Sequence, residues 1–274
     1  DLYIYKGGTV TASGDGKIRV KGNVQIGRNG GGVLNAPGGD RTRFIVHGGF
    51  NVYLGGTFIH SNGTVTFSTQ GTGHAINIVG EGNFYNIYKN ARKHLILSKP
   101  IEVKNNLTNN NRGKIITLGK DITIGGDLDF YQQNFTAGTG KVIFDGSSAQ
   151  TIKSPADFNE VRISNSDADV SLESDTTIGK LTIDPDATLD LNGNDLDLTD
   201  ATLVNYGNLQ LQGGNLTAET LVQGDNGNLQ LQGGETVVII TMDTDSGTVT
   251  YDGTGTYTQL AAGDAYHNLT LNSS

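Results

Sequence analysis

The sequence contains no cysteine and no tryptophan, and only 4 of its 274 residues are proline. Without cysteine the chain can form neither a disulfide framework nor a cysteine-ligated zinc site. No apolar run approaches the roughly 20 residues that a membrane-spanning helix needs, so we expect no membrane insertion. No signal peptide opens the chain and its first residue is Asp1, which indicates a processed mature chain or an excised segment.

Basic side chains are missing from the last third of the sequence. Residues 181–274 carry 13 acidic and no basic side chains, whereas residues 1–180 carry 19 basic and 15 acidic ones. An acidic segment without cations repels phosphate backbones, so we expect no nucleic acid among the partners of this protein.

Turn-forming and strand-forming residues dominate the composition. Glycine accounts for 40 residues, and Asn, Asp and Thr are abundant. Apolar and polar residues alternate with period 2 in segments such as "KIRVKGNVQIG" (17–27), "KIITLGKDITIGGDLDF" (114–130) and "ETVVIITM" (235–242). Helical i, i+3, i+4 spacing is nearly missing. The sequence therefore predicts an all-β fold with many short strands.

A short repeat indicates how these strands are arranged. The octapeptide "GNLQLQGG" occurs at residues 207–214 and again, 20 residues later, at 227–234. This period predicts a β-solenoid whose coils of about 20 residues stack at about 4.8 Å. In it, Leu209 and Leu211 would pack on Leu229 and Leu231, with Gln210 and Gln230 aligned outside and the glycines at corners. The repeat thus indicates assembly and packing, not catalysis.

A longer module recurs around the short one. Segments 63–76, 140–152 and 247–260 share Gly, any residue, Val, any residue, an aromatic residue, and then Ser or Asp. A strand-like segment with Asn follows each copy, at 84–90, 158–166 and 266–274. The first copy departs from the pattern, because Lys89 stands where an apolar residue is expected and Ser68 replaces Asp145 and Asp252. We predict a repeat-built solenoid over residues 63–274, with residues 1–62 forming N-terminal β-rich coils or a cap.

Residues 142–198, "VIFDGSSAQTI…FNEVRISNSDADVSLESDTTIGKLTIDPDATLDLNGNDLDL", resemble the repeats of very large bacterial surface and secreted β-helix proteins of the filamentous-haemagglutinin-like type. The resemblance covers about residues 63–274, and it is clearest at 140–200 and 247–274. It implies a right-handed parallel β-helix with an adhesive or structural role, and it carries over no active-site residue.

The sequence was searched for catalytic motifs of polysaccharide-cleaving enzymes and for calcium-binding loops. Of the polygalacturonase signatures Asn-Thr-Asp, Asp-Asp, His-Gly and Arg-Ile-Lys, only the dipeptide His-Gly occurs, at residues 47–48, so the alternative of a polysaccharide lyase or hydrolase has no carboxylate motif. Asp190, Asn192, Asn194 and Asp195 resemble the start of a calcium loop. Position six of that loop is Asp195 instead of Gly, and position twelve is Ala201 instead of Glu. A type I′ Asn-Gly corner is the simpler interpretation, and weak calcium binding is the alternative.

Two basic clusters, "RTR" (41–43) and "NARKH" (90–94), are expected to be solvated, with contact to an anion or glycan as the alternative. Tyrosines in the first half could stack on sugars, but their alternation with polar residues favours core or corner packing. We therefore expect a non-enzymatic extracellular or cell-surface β-solenoid, either a rod-like adhesin segment or a filament subunit. It would associate with itself or with neighbouring subunits through open solenoid ends. Glycan binding and polysaccharide cleavage are the alternatives.

Overall fold

A computed structural model describes residues 1–12, 16–68, 74–132, 134–155, 157–254 and 260–272. These residues form 32 short β-strands and no helix, and the strands stack as a β-solenoid of about 13 turns with coils of about 20 residues. The predicted all-β class and coil length are thus confirmed. In the described part of the chain no helix is long and apolar enough to cross a bilayer. Residues 69–73 and 255–259 of two predicted modules lie outside the described residues.

The chain divides into two compact units, residues 1–140 and 141–274. The strands of the first unit are β1 (Leu2–Ile4), β2 (Thr9–Thr11), β3 (Ile18–Val20), β4 (Val24–Ile26), β5 (Val33–Asn35), β6 (Gly39–Val46), β7 (Phe50–Val52), β8 (Thr57–Ile59), β9 (Gly63–Ser68), β10 (His74–Ile78), β11 (Asn86–Asn90), β12 (Leu95–Leu97), β13 (Ile101–Val103), β14 (Leu107–Asn109), β15 (Ile115–Ile116), β16 (Ile122–Ile124), β17 (Leu128–Phe130) and β18 (Phe135–Thr136).

Parallel pairing in the first unit follows successive coils. One sheet has the order β1-β4-β7-β10-β12-β15-β18, a second has β3-β6-β9-β11-β14-β17, and β2-β5-β8 and β13-β16 complete the walls. Coil length varies, because Val24 pairs with Phe50, 26 positions later, whereas Leu107 pairs with Leu128, 21 positions later. The longer early coils enclose a cluster of buried phenylalanines: Phe44, Phe50, Phe58 and Phe84.

The second unit is more regular. Its strands are β19 (Lys141–Phe144), β20 (Gln150–Lys153), β21 (Glu160–Ile163), β22 (Val170–Leu172), β23 (Thr176–Thr177), β24 (Lys180–Ile183), β25 (Thr188–Asp190), β26 (Leu196–Asn205), β27 (Asn208–Gln210), β28 (Leu216–Gln223), β29 (Asn228–Leu231), β30 (Val237–Thr241), β31 (Thr248–Tyr251) and β32 (Asn268–Leu271). They form two parallel sheets, β20-β22-β25-β27-β29-β31-β32 and β19-β21-β24-β26-β28-β30, with β23 paired to β26.

The longer sequence module corresponds to one coil and the strand above it. β9 pairs with β11, β19 with β21, and β31 with β32. The aromatic residue of each module, Phe67, Phe144 or Tyr251, has a fully buried side chain. Such inward aromatic and aliphatic side chains continue the core from coil to coil, because parallel pairing in register keeps each side chain on the same face.

Asx side chains at the corners bind the backbone of the next coil. In the second unit Asp175 Oδ1 accepts from the amide of Asp195 at 2.9 Å, and Asp195 Oδ1 accepts from the amide of Asn215 at 3.0 Å. Asn215 Oδ1 accepts in turn from the amide of Thr236 at 2.8 Å. These bonds satisfy corner N–H groups for which a strand ladder provides no partner, so each coil stabilises the corner of its neighbour.

Candidate functional site

The outer face of the second sheet in the first unit carries a row of paired residues. Arg19 lies beside Ile45, Ile45 beside Thr66, and Thr66 beside Tyr88. The residues that precede them, Ile18, Phe44, Val65 and Ile87, pair in the same way on the core side, so the side chains of these four residues point away from the core. The row places a cation, an aliphatic group, a hydroxyl and an aromatic ring on four consecutive coils.

An excursion of β6 covers part of this row. Gly39 pairs with Gly63, and the register then shifts before Phe44 pairs with Val65. Such a shift is a β-bulge, which moves the intervening residues out of the ladder. Within this segment the carboxylate of Asp40 accepts hydrogen bonds from the amide and the hydroxyl of Thr42, at 2.9 and 2.7 Å. The bond from the hydroxyl is the main reason why the pKa of Asp40 lies below its usual value.

Arg41 projects from the excursion over the sheet face. Its guanidinium carbon lies 4.8 Å from the centroid of the Tyr88 ring, which is a cation–π distance. The hydroxyl of Thr66 donates to the carbonyl oxygen of Arg41 at 2.6 Å and fixes the backbone there. Arg41 is thus held above the row by two contacts of different kinds.

A cleft of about 520 Å³ opens beside Arg41. Three cationic side chains line it, Lys17, Arg19 and Arg41, and none of the three forms an ion pair with another described residue. Ile18 and Ile45, both half-buried, add apolar surface. The described lining contains no carboxylate, so the cleft has a net positive charge.

A second, neutral cleft of about 340 Å³ shares Arg41 and Tyr88 with the first. Asparagine and threonine side chains line most of it, including Thr64, Asn86, Asn105, Asn106 and Thr108, and Asp40 is its one carboxylate. These amides are ordered, since Asn105 Nδ2 donates to Asn86 Oδ1 at 2.9 Å. The two clefts together offer a cationic compartment next to a neutral polar compartment.

The aromatic residues separate by type. In the first unit the side chains of Phe50, Phe84 and Phe130 are buried, whereas Tyr3, Tyr5 and Tyr131 are exposed and Tyr88 is half-buried on the outer face. These four tyrosines therefore do not pack in the core. Sequence reasoning noted "RTR" but did not connect it to Tyr88, Lys17 or Arg19. The alternation of "KIRV" does predict an outward Arg19, but the contact of Arg41 with Tyr88 depends on the β6 bulge.

The residues proposed as calcium ligands form hydrogen bonds within the corner and to neighbouring coils. Asp190 Oδ1 accepts from the amide of Asn192 at 2.7 Å, and Asn192 and Gly193 both have positive φ, as a type I′ turn requires. The side-chain Nδ2 of Asn194 donates to the carbonyl oxygen of Leu172 at 3.0 Å, and Asp195 Oδ1 accepts from Nδ2 of Asn215. Among the described residues no group of three or more His, Asp or Glu side chains could hold a metal ion.

The structure brings the predicted packing leucines together. Leu209 pairs directly with Leu229, and all four leucines, Leu209, Leu211, Leu229 and Leu231, have fully buried side chains. Gln210 pairs with Gln230 on the outer face, although Gln230 Nε2 donates to Asp252 Oδ2 at 2.5 Å. A direct hydrogen bond between side-chain amides joins the neighbouring pair instead: Asn228 Nδ2 donates to Asn208 Oδ1 at 3.0 Å.

Lys89 is a charged group inside the core. Its side chain is fully buried, and Nζ donates to the carbonyl oxygens of Ala91 and Gly113, at 2.7 and 2.5 Å, and to Asn109 Oδ1 at 3.2 Å. All three ammonium hydrogens have acceptors, yet no carboxylate of the described residues forms an ion pair with it. Burial lowers the pKa of Lys89 from 10.5 to about 8.

β30 leaves an apolar edge in the second unit. Among the described residues it is the last strand of its sheet and pairs only with β28. Val238 is 49% exposed and Ile240 is 77% exposed, and the strand contains neither proline nor a charged residue. Natural edge strands usually carry charge, proline or a cover that prevents pairing with other chains, and the described residues give β30 none of these.

Comparisons of the chain with protein families, with curated proteins and with solved structures give no match. The fold and its repeats define the protein as a β-solenoid of the β-helix repeat type.

Proposed function

We propose that this protein is a non-enzymatic, extracellular structural and adhesive β-solenoid that assembles through its strand edges. The observation that carries the assembly is the uncovered apolar edge of β30, where unpaired backbone groups accompany exposed Val238 and Ile240. The resemblance to filamentous-haemagglutinin-like repeats supports a location outside the cell.

Charge supports contact between unlike edges. β3 and β32 are the outer strands of sheets in the first and second units, and each pairs on one side only. The first coil carries the cations Lys6, Lys17, Arg19 and Lys21, whereas the last coils carry Asp243, Asp245, Asp252 and Asp264. Unlike charges favour a head-to-tail contact and disfavour contacts between two like edges.

The distribution of carboxylates supports a non-enzymatic role. Glycoside hydrolysis needs two carboxyl groups on either side of one bond. The cationic cleft has none in its described lining, the neutral cleft has Asp40, and a cleft of about 290 Å³ in the second unit has Asp186. Each of these three clefts therefore provides at most one of the two groups.

Sedimentation velocity of the whole chain tests the assembly. We expect concentration-dependent association that weakens between about 20 and about 300 mM salt, because salt screens exposed charges. Ile240→Lys places a charge on the β30 edge and should reduce association about tenfold or more. Leu54→Lys is the matched control, since Leu54 is also 77% exposed but lies in a turn of the first unit. A monomer at all concentrations, or equal effects of both variants, would refute the proposal.

A further inference from the structure

The geometry points to a binding site for an acidic saccharide in the cationic cleft, with a neutral neighbouring sugar in the adjoining asparagine-lined cleft. This inference names the ligand class for the adhesive part of the proposed function and rests on it. It does not depend on the β30 edge, so assembly and saccharide binding are open to separate tests.

The cations select a carboxylate. Lys17, Arg19 and Arg41 line one cleft, and none of them is neutralised by an ion pair with a described residue. A guanidinium group binds a carboxylate through two parallel N–H donors, and charge-assisted hydrogen bonds are stronger than neutral ones. Arg41 is already oriented by the Tyr88 ring and by its backbone bond to Thr66, which reduces the entropy lost on binding.

The apolar surface between the cations suits a sugar ring. Ile45 is half-buried on the outer face and presents an aliphatic group, while Ser68 and Asn90 provide polar atoms in the same lining. A pyranose has C–H groups on its faces and hydroxyls around its edge, so it matches a surface that mixes these two characters. The cleft volume, about 520 Å³, lies within the range of ligand sites.

The second cleft distinguishes an acidic saccharide from a polyphosphate chain. A nucleic acid carries a negative charge on every residue and needs cations along its whole path. The adjoining cleft instead presents neutral amides and hydroxyls such as Asn86, Asn106 and Thr108, together with the negative Asp40. The charges of Asp40 and Arg41 cancel in this cleft, so it offers a second anion no net attraction and can accept the hydroxyl or acetamido groups of a neutral sugar. The pair of clefts therefore fits alternating acidic and neutral sugars.

Isothermal titration calorimetry with a tetrasaccharide of alternating glucuronate and N-acetylglucosamine tests the inference. The neutral N-acetylglucosamine tetrasaccharide and sodium sulfate serve as comparison ligands. We expect the acidic tetrasaccharide to bind at least about tenfold more tightly than either, because each removed charge-assisted contact costs roughly one decade of affinity. Binding should also weaken as salt increases from about 20 to about 300 mM.

The double variant R19Q/R41Q should weaken binding of the acidic tetrasaccharide about tenfold or more. R28Q/R112Q removes the same charge from exposed arginines that line neither cleft and should leave binding unchanged. Circular dichroism melting verifies that both variants fold. Absence of binding, equal binding of sulfate or of the neutral tetrasaccharide, or equal weakening by the two double variants would overturn the inference. If R19Q/R41Q self-associates as the wild type does, its loss of saccharide binding arises in the cleft and leaves the proposed assembly untouched.

Discussion

The buried lysine predicts an unusual dependence of stability on pH. An unfolded chain holds the Lys89 proton up to a pKa of 10.5, whereas burial lowers the folded-state pKa to about 8. Below about pH 8 both states are protonated, and the cost of burying the charge is fully present. Between about pH 8 and 10.5 the unfolded state binds more protons, so the free energy of unfolding rises with pH because of this group. The difference in pKa corresponds to about 3 kcal/mol.

Lys89→Met isolates this contribution, because methionine fills a similar volume and does not titrate. Urea unfolding followed by circular dichroism, repeated from about pH 7 to about 10.5, gives the free energy of unfolding of both proteins. We expect the wild type to gain about 3 kcal/mol relative to the variant over this range. Lys99→Met, which removes an exposed lysine, should show no such change. A constant difference between wild type and Lys89→Met would refute the reasoning.

Four further substitutions test the corners and the core. Gly214→Ala should cost about 2 kcal/mol or more in urea unfolding, because a Cβ there would lie 2.1 Å from the carbonyl oxygen of Asn194. Gly234→Ala, at the same place in the second octapeptide, meets no atom within 4 Å and should cost about 1 kcal/mol or less; equal costs would contradict the corner geometry. Leu229→Ala should lower the free energy of unfolding by about 3 kcal/mol because the Leu229 side chain is fully buried. A loss below about 1 kcal/mol would mean that the core is not packed there. Burial raises the pKa of Asp243, but hydrogen bonds from backbone amides outweigh this effect, and the pKa is lowered overall. The stabilising effect of the Asp243 carboxylate should therefore be lost as pH falls below 3.8. A parallel acid titration of Asp243→Asn would show no such loss.

The regular part of the fold was predictable because the offset between its paired residues stays close to that of Leu209 and Leu229, which are 20 positions apart. A 20-residue repeat is enough to place Leu209 beside Leu229, since in-register pairing preserves the inward face. The first unit was harder to predict, because the offset between paired residues changes from 26 for Val24 and Phe50 to 21 for Leu107 and Leu128. With unequal coils, sequence spacing alone does not indicate which outward side chains meet.

The candidate site illustrates the same limit. The alternation of its strand indicates that Arg19 faces outward, but Arg41 reaches Tyr88 only because the register shifts within β6. The pattern also marked Lys89 as an exception at an apolar position. Its acceptors are the backbone carbonyls of Ala91 and Gly113 and the side-chain oxygen of Asn109, and a pattern of side chains does not describe where those buried carbonyls lie.

The Asx bonds between coils have a consequence for how such a chain can change in length. Each bond joins an acceptor in one coil to an amide in the next, as from Asp195 to Asn215, so every coil depends only on its immediate neighbours. Removal of one complete coil would bring together two corners that already match. Loss of a single residue would instead turn every following inward side chain of that strand toward water. Length in this protein is therefore quantised, and whole coils are the smallest step that preserves the core.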